Sequence, residues 1–409
     1  MKKIYASIDI GSDTVKIIVS EMYKNKMNVL ATAKVPSLGI KKGLIIDPDA
    51  ATDSVKRALA EVEGMLGIKI KDVLAIVPSY FLSLSKEKGF STITNEAKEV
   101  KGNDIIRAMQ ASVYNKLPTS KELINIIPIS FTLDDKSEIT DPKGMVGDKL
   151  GVSVLMISGP KKSIHSIVHV IESAGVKVVD LIPTAITDFY ELRDQNIAKN
   201  NGAIINIGSE TTTVSVFNRG VLTGAETIQI GSKSIEKDLN YIYKLKTETS
   251  TKLKRFFALA TPRNANSGET YQVEKLEINQ YEISEVISAR LKEILKLVKK
   301  QINLLTKEEI SYIIFTGGAT EIKDFKTLLD EVFDQATLGS IKTVGIRDNS
   351  FSVASGAIKY FYEKLRLRGK DYSMFTPDME RDFISSKKRI LNFSEESVFG
   401  KVFGYFFEN

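Results

Sequence analysis

A glycine hairpin that occurs twice, once at the front of the chain and once at mid-chain, constrains the fold more than any other feature. "ASIDIGSDTVKIIVSE", Ala6 to Glu21, and "IINIGSETTTVSVFNRG", Ile204 to Gly220, share one plan. Each runs β-branched residues into a small polar residue, Ile, Gly and Ser, then through a Thr-bearing turn into a second apolar strand. Glycine at a strand end leaves no Cβ in the way, so several backbone N–H groups converge on one phosphate. Ser and Thr hydroxyls add donors, and a strand-end carboxylate can hold a magnesium ion through water. The first copy carries Asp9 and the second Asn206. One such hairpin is weak evidence, because glycine hairpins that are plain structure are common. Two, followed by a third glycine turn in "FTGGAT", point to nucleotide binding, and the absence of GxxxxGK[ST] and GxGxxG sets aside the P-loop and Rossmann readings.

With 409 residues, two or three domains are expected. The net charge of +6 is spread along the chain and asks for no more than mild attraction to anionic surfaces. Aromatics rarely interleave with the basic clusters, so nucleic acid is not expected as a partner. The chain has no cysteine, which removes disulfides, thiolate metal sites and thiol nucleophiles together and fits a reducing cytosol. Asp9 interrupts the N-terminal stretch before it could form a signal-peptide core, and no run approaches a membrane span. A cytoplasmic protein is expected.

Along the chain, "DPDAATDSVKRALAEVEGMLG" predicts a capped helix and "KDVLAIVP" a buried strand. Residues 83–159 change texture to shorter strands around the helix "GNDIIRAMQASVYNK", as in an inserted α+β unit. "IGSKSIEKDLNYIYKLKTETSTKLKRF" predicts helix broken by a Ser/Thr-rich turn at Thr247 to Thr251, and "TPRNANSGETYQ" a polar loop. Apolar residues at Ile283, Ile287, Leu291, Ile294 and Val298 mark a long amphipathic helix. Charge and turn residues from Arg368 to Phe393 predict a flexible linker.

The order "IDIGSDTVK", "INIGSETTTVSV", "IFTGGATEI" resembles the two phosphate turns and the adenosine turn of the actin-like ATPase superfamily. Within it the chain most resembles the FtsA family of bacterial cell-division proteins. The stretch ending "ITDPKGMVGDKLGVSVLMIS", with Pro142 to Gly147, is similar to the subdomain inserted in that family, and "IGSKSIEKDLNYIY" with "ISEVISARLKEILKLVKK" to its nucleotide-side subdomain. The resemblance implies an α/β actin-like duplicated fold, two lobes around a nucleotide cleft. The first lobe would take residues 1–82 and 160–200, the insert 83–159, the second lobe 201–228 and 306–367, and the nucleotide-side subdomain, which would bind FtsZ, 229–305. A linker at 368–393 would lead to a membrane-targeting helix at 394–409.

The resemblance also implies ATP and Mg2+ as cofactors. Asp9 would sit near magnesium through water; Gly11, Ser12, Thr14 and Lys16 would frame the phosphates from one side and Asn206, Gly208, Ser209 and Thr211 from the other. Lys254 would lie near the adenosine, with Gly317 and Gly318 forming the adenine turn. Lys16 reads equally as a solvated strand residue and Lys254 as helix surface. Two departures stand out: the superfamily's second turn opens with Asp where this chain has Asn206, and its ribose-side Glu is replaced by Thr251. A neutral amide accepts no proton near neutral pH, so slow or absent hydrolysis is expected, with ATP acting as a clamp on closure. No confident catalytic residue follows.

In "SEESVFGKVFGYFFEN" a helix capped by Ser394 would gather Val398, Phe399, Val402, Phe403, Phe406 and Phe407 on one arc with Lys401 beside it. Insertion at the inner face of the cell membrane at the division site is expected, with "KKR" at Lys387 to Arg389 attracting anionic lipid; docking on a protein is the alternative for this tail. The family's partners would be the FtsZ C-terminal peptide and further copies of the chain in a filament. Rival readings are a pilus-assembly or cell-shape member of the superfamily and a small-molecule kinase on the same fold. His165 and His169 have metal-pair spacing but no third ligand, and read as helix surface.

Overall fold

The computed structural model describes residues 3–134, 136–273, 276–341, 343–346, 349–379, 381 and 383. Its frame is one five-stranded sheet built twice. In the first, the strands run in the order Lys177–Pro183, Asp72–Val77, Lys3–Ile10, Thr14–Tyr23, Lys26–Pro36; in the second, Ala336–Leu338, Tyr312–Thr316, Gly202–Ile207, Thr212–Asn218, Val221–Ile228. In both, the glycine hairpin is antiparallel and its first strand is parallel to the next strand inward. Parallel neighbours need a crossover, supplied by helix Pro48–Leu66 in one half and, at the same point of the other, a segment ending in helix Gln280–Leu305.

Alternating side chains explain why the first strand of the second hairpin is apolar on both faces up to Asn206. Ala203, Ile205 and Ile207 enter the core under helix Gln280–Leu305, while Ile204 enters the core shared with the first half. Helix Pro48–Leu66 starts where the Asp47 side chain accepts from the Ala50 N–H with Pro48 in the first turn, and stops at Gly67 in the left-handed region. Helix Gln280–Leu305 buries all five residues that marked its apolar stripe.

The insert is a four-stranded sheet in the order Ser83–Thr92, Lys149–Pro160, Lys121–Leu133, Lys136–Ile139, covered by helix Gly102–Val113, with its own core. Three local expectations give way. Thr247–Lys252 is helical, because Thr251 returns its hydroxyl to the Thr247 carbonyl; the break falls earlier, at left-handed Lys244. The expected polar loop holds a short turn at Pro262–Asn264 and half of a hairpin, Thr270–Val273 with Leu276–Asn279.

The third correction concerns the expected flexible linker. Its first part is packed: Met374, Phe375, Met379 and Phe383 are buried in the core of the first half. Strand Asp72–Val77 pairs with Lys3–Ile10 only at Ser7 and Ile8, leaving the start of that strand open. The returning chain fills this gap. The Met374 N–H donates to the Ile4 carbonyl at 2.9 Å, and the Ile4 N–H donates to the Ser373 hydroxyl at 3.1 Å. The expected helix at 394–409 lies outside the described residues.

Two helices join the halves. Thr184–Leu192 enters the second sheet and Ser352–Leu367 leaves it. They cross at Gly356, where a Cβ would run into the Thr187 carbonyl, so only glycine allows this approach.

Candidate nucleotide cleft

The two hairpin turns face each other across the junction and are atomically alike. The Gly11 N–H donates to the Thr14 carbonyl at 3.1 Å, and the Gly208 N–H donates to the Thr211 carbonyl at 2.9 Å. A Cβ on either glycine would press that carbonyl at 3.0 or 3.1 Å. Glycine therefore closes each turn while leaving its outer face bare.

Between the turns lies a cavity of about 480 Å³, within the usual size of ligand pockets. All twelve residues singled out from the sequence line it: Asp9, Gly11, Ser12, Thr14 and Lys16 from the first turn; Asn206, Gly208, Ser209 and Thr211 from the second; Lys254; and Gly317 and Gly318. Thr251, which stands at the ribose-side position of the resemblance, is not among the lining residues and bonds within its own helix.

Charge in the cleft is paired. The Lys16 ammonium donates to Asp9 Oδ2 at 2.7 Å, since the register sets Lys16 directly opposite Asp9. Lys254 is buried and donates to Glu236 Oε1 at 2.6 Å. Glu236 faces the cavity from helix Lys233–Tyr243 and supplies a carboxylate the sequence reading missed. No spacing rule links it to Lys254; only the wide turn at Leu253–Phe257, closed by the Ala258 N–H on the Leu253 carbonyl, swings the lysine towards that helix. Arg255 and the exposed Phe256 also reach the cavity rim.

Contacts cross the cleft mouth. The Lys42 N–H donates to Glu210 Oε2 at 2.6 Å, and Glu210 Oε1 lies 3.2 Å from the Lys233 ammonium. Arg255 stands 3.5 Å from Asp13 across the same mouth, while within the first half the Gly43 N–H donates to the Ser12 hydroxyl at 2.7 Å.

Behind the second turn is a further residue that the sequence reading did not find. Asp188, on helix Thr184–Leu192, accepts from the Asn206 amide at 2.8 Å and from the Ser352 hydroxyl at 2.8 Å. Burial pushes its carboxyl up to about 7 against those two hydrogen bonds, and the charges of Asp9 and Glu191 push the same way. In the sequence, Asp188 is one acid on a helix with nothing to tie it to a turn downstream.

Two family models match the chain: "SHS2 domain inserted in FTSA" over residues 82–158 and "Cell division protein FtsA" over residues 203–356, together more than half of its length. The chain belongs to the FtsA family. Its relatives in that family include FtsA of Bacillus subtilis (strain 168), 29% identical over 387 residues, covering 92% of this chain and 87% of that protein. FtsA of Streptococcus pneumoniae is 29% identical over 356 residues, covering 85% and 78%. As an FtsA-family member it is a cell-division protein with the actin-like ATPase fold. The fold agrees with solved structures: the PilM-PilN type IV pilus biogenesis complex (TM-score 0.60, 14% identity, 87% of this chain and 98% of that one) and MreB5 of Spiroplasma citri bound to ADP (0.54, 15%, 90% and 98%). No helix among the described residues of this FtsA-family chain is long and apolar enough to cross a membrane.

Proposed function

We propose that the cleft binds ATP with magnesium, that binding sets how far the two lobes close, and that the closed chain polymerises and anchors FtsZ to the cytoplasmic membrane. One observation carries the nucleotide reading: residues from four separated stretches, picked out in the sequence by the resemblance, converge on a single cavity lined by paired glycine turns. Phosphates would lie between the Gly11–Thr14 and Gly208–Thr211 turns, with the base near Gly317, Gly318 and Lys254. An MreB5 of the same fold was solved with AMPPNP.

The residues fit a phosphate-carried magnesium ion. Among the described residues no group of three acids or histidines could cage a metal, so the protein side of such a site is Asp9, one of whose oxygens is held by Lys16. The ion would neutralise phosphate charge. Asp9 would accept from its water shell, and Lys16 would hold the carboxylate in place.

Hydrolysis is slow or absent in this reading, because Asn206 offers the attacking water a neutral amide. The chain would use nucleotide as a clamp, with Lys42, Glu210 and the Arg255–Asp13 pair answering to closure. Membrane attachment would come from Ser394–Asn409 and FtsZ binding from the subdomain at 229–305, both supported by family membership.

Calorimetry with MgATP on the wild type and on Gly11→Val tests the cleft: micromolar binding in the first and loss in the second is expected, and absence of binding by the wild type refutes it. Co-sedimentation with liposomes, with and without the FtsZ C-terminal peptide, before and after deletion of Ser394–Asn409, tests the rest. Unchanged lipid binding after deletion removes the tail from the account.

A further inference from the structure

We propose that Asp188 is the positioning residue of the second phosphate turn: it fixes which face of the Asn206 amide the cleft sees and ties that face to the joint between the lobes. This rests on the nucleotide reading of the cleft.

The argument starts from what a carboxylate can do. Ionised, it only accepts, so the amide beside it must turn its NH2 inward, as the 2.8 Å contact shows. The Asn206 carbonyl oxygen is then left on the other side, against the space a Cβ on Gly317 would need, at the floor of the cavity. An oxygen there accepts hydrogen bonds, which suits water on a cation. Protonated on the oxygen that faces Asn206, Asp188 donates instead, the amide reverses, and the cleft meets an NH2 that suits a phosphate oxygen; protonated on the other, it donates to the Ser352 hydroxyl and the amide stays as it is.

Position supports the assignment. Asp188 lies on one connecting helix, and Ser352, its second donor, opens the other. Asn206 ends the strand that forms the turn. The three side chains thus link the turn to both helices that cross at Gly356. The charges around Asp188 are these: Asp9 on the first strand is paired with Lys16, and Glu191 on its own helix, its carboxyl raised by burial, is paired with Lys359 of the departing helix at 2.8 Å. Asp188 has only the neutral donors Asn206 and Ser352, so a change in its charge breaks no ion pair.

The superfamily's acid at position 206 has in this sense moved one layer back. An exchange of the two residues, Asn206→Asp with Asp188→Asn, keeps the hydrogen bond and returns the charge to the cleft.

The experiment has two arms. In apo protein labelled with 15N-asparagine, the Asn206 side-chain NH2 signal, identified by its loss in Asn206→Ser, should titrate near pH 7 and cease to do so in Asp188→Asn. In the second arm, ATP affinity is measured with and without magnesium from pH 6 to 8.5. The magnesium-dependent gain should grow about tenfold across that range in the wild type and vary less than about twofold in Asp188→Asn. A titration that survives in Asp188→Asn, or identical pH profiles in the two proteins, overturns the inference. Should the wild type bind no ATP at all, the cleft reading falls, while the amide titration still decides the role of Asp188. Asp188→Ser serves as a second variant if the amide version fails to fold.

Discussion

The two glycine hairpins share a backbone and differ in how they handle one negative charge. In the first, Asp9 faces the cleft and the register places Lys16 across from it. In the second, the matching pair is Asn206 and Thr213, both neutral, and the acid stands behind the strand at Asp188. Duplication preserved what backbone sterics demand, the glycine and the carbonyl it closes on. It left free where the carboxylate sits, provided something answers it. A cation does so in one half, and two hydrogen-bond donors do so in the other.

The largest expected effect concerns that second arrangement. The Asp188 carboxyl is raised from 3.8 to about 7, so it binds its proton more tightly folded than unfolded. Its contribution to stability is therefore full below pH 4 and is lost as pH rises through about 7. The span is about 4 kcal/mol as an upper value at 1.36 kcal/mol per unit. At pH 5 about one unit of that span is already spent, so urea titrations at pH 5 and pH 8 should show a loss of about 3 kcal/mol in the wild type and not in Asp188→Asn.

Next in size, Asn206→Asp alone sets two carboxylates within hydrogen-bond distance. A cost of roughly 3 kcal/mol is expected at pH 8, and little at pH 5, where they share a proton; adding Asp188→Asn should remove it. For the first hairpin, Lys16→Met strips Asp9 of its partner, and ATP affinity should fall by about 30-fold, or ~2 kcal/mol. Gly11→Ala and Gly208→Ala test the sameness of the two turns. Both should lose about 1 kcal/mol of stability, and a difference above roughly that size would break the equivalence of the backbones. Thr213→Val is expected to change ATP affinity by less than about twofold, because nothing at Thr213 plays the part of Lys16.

How much of this was legible in the sequence follows from the range of each interaction. The hairpins, the turn at Gly317 and the helix Gln280–Leu305 are written in short-range patterns of β-branched residues, glycine and apolar spacing. Glu236 and Asp188 act on partners in other elements, and single acids on helices carry no local mark. The packed segment through Phe383 was hidden by its charged neighbours. Its four apolar residues follow the surface they meet, not a helical or strand period. The helical turn at Thr247–Lys252 was hidden by hydroxyl residues, which favour turns until one of them bonds back along its own helix.

The C-terminal segment has a mechanical consequence. Ser373 and Met374 are stitched to Ile4 at one end of the very strand whose other end carries Asp9. Tension applied to the chain beyond this stitch would load Phe375, Met379 and Phe383 first and then, through the stitch, a strand about 20 Å long at 3.3 Å per residue that leads to the cleft. A pull on the far end of this polypeptide would thus be felt at the glycine turn that lines the cleft.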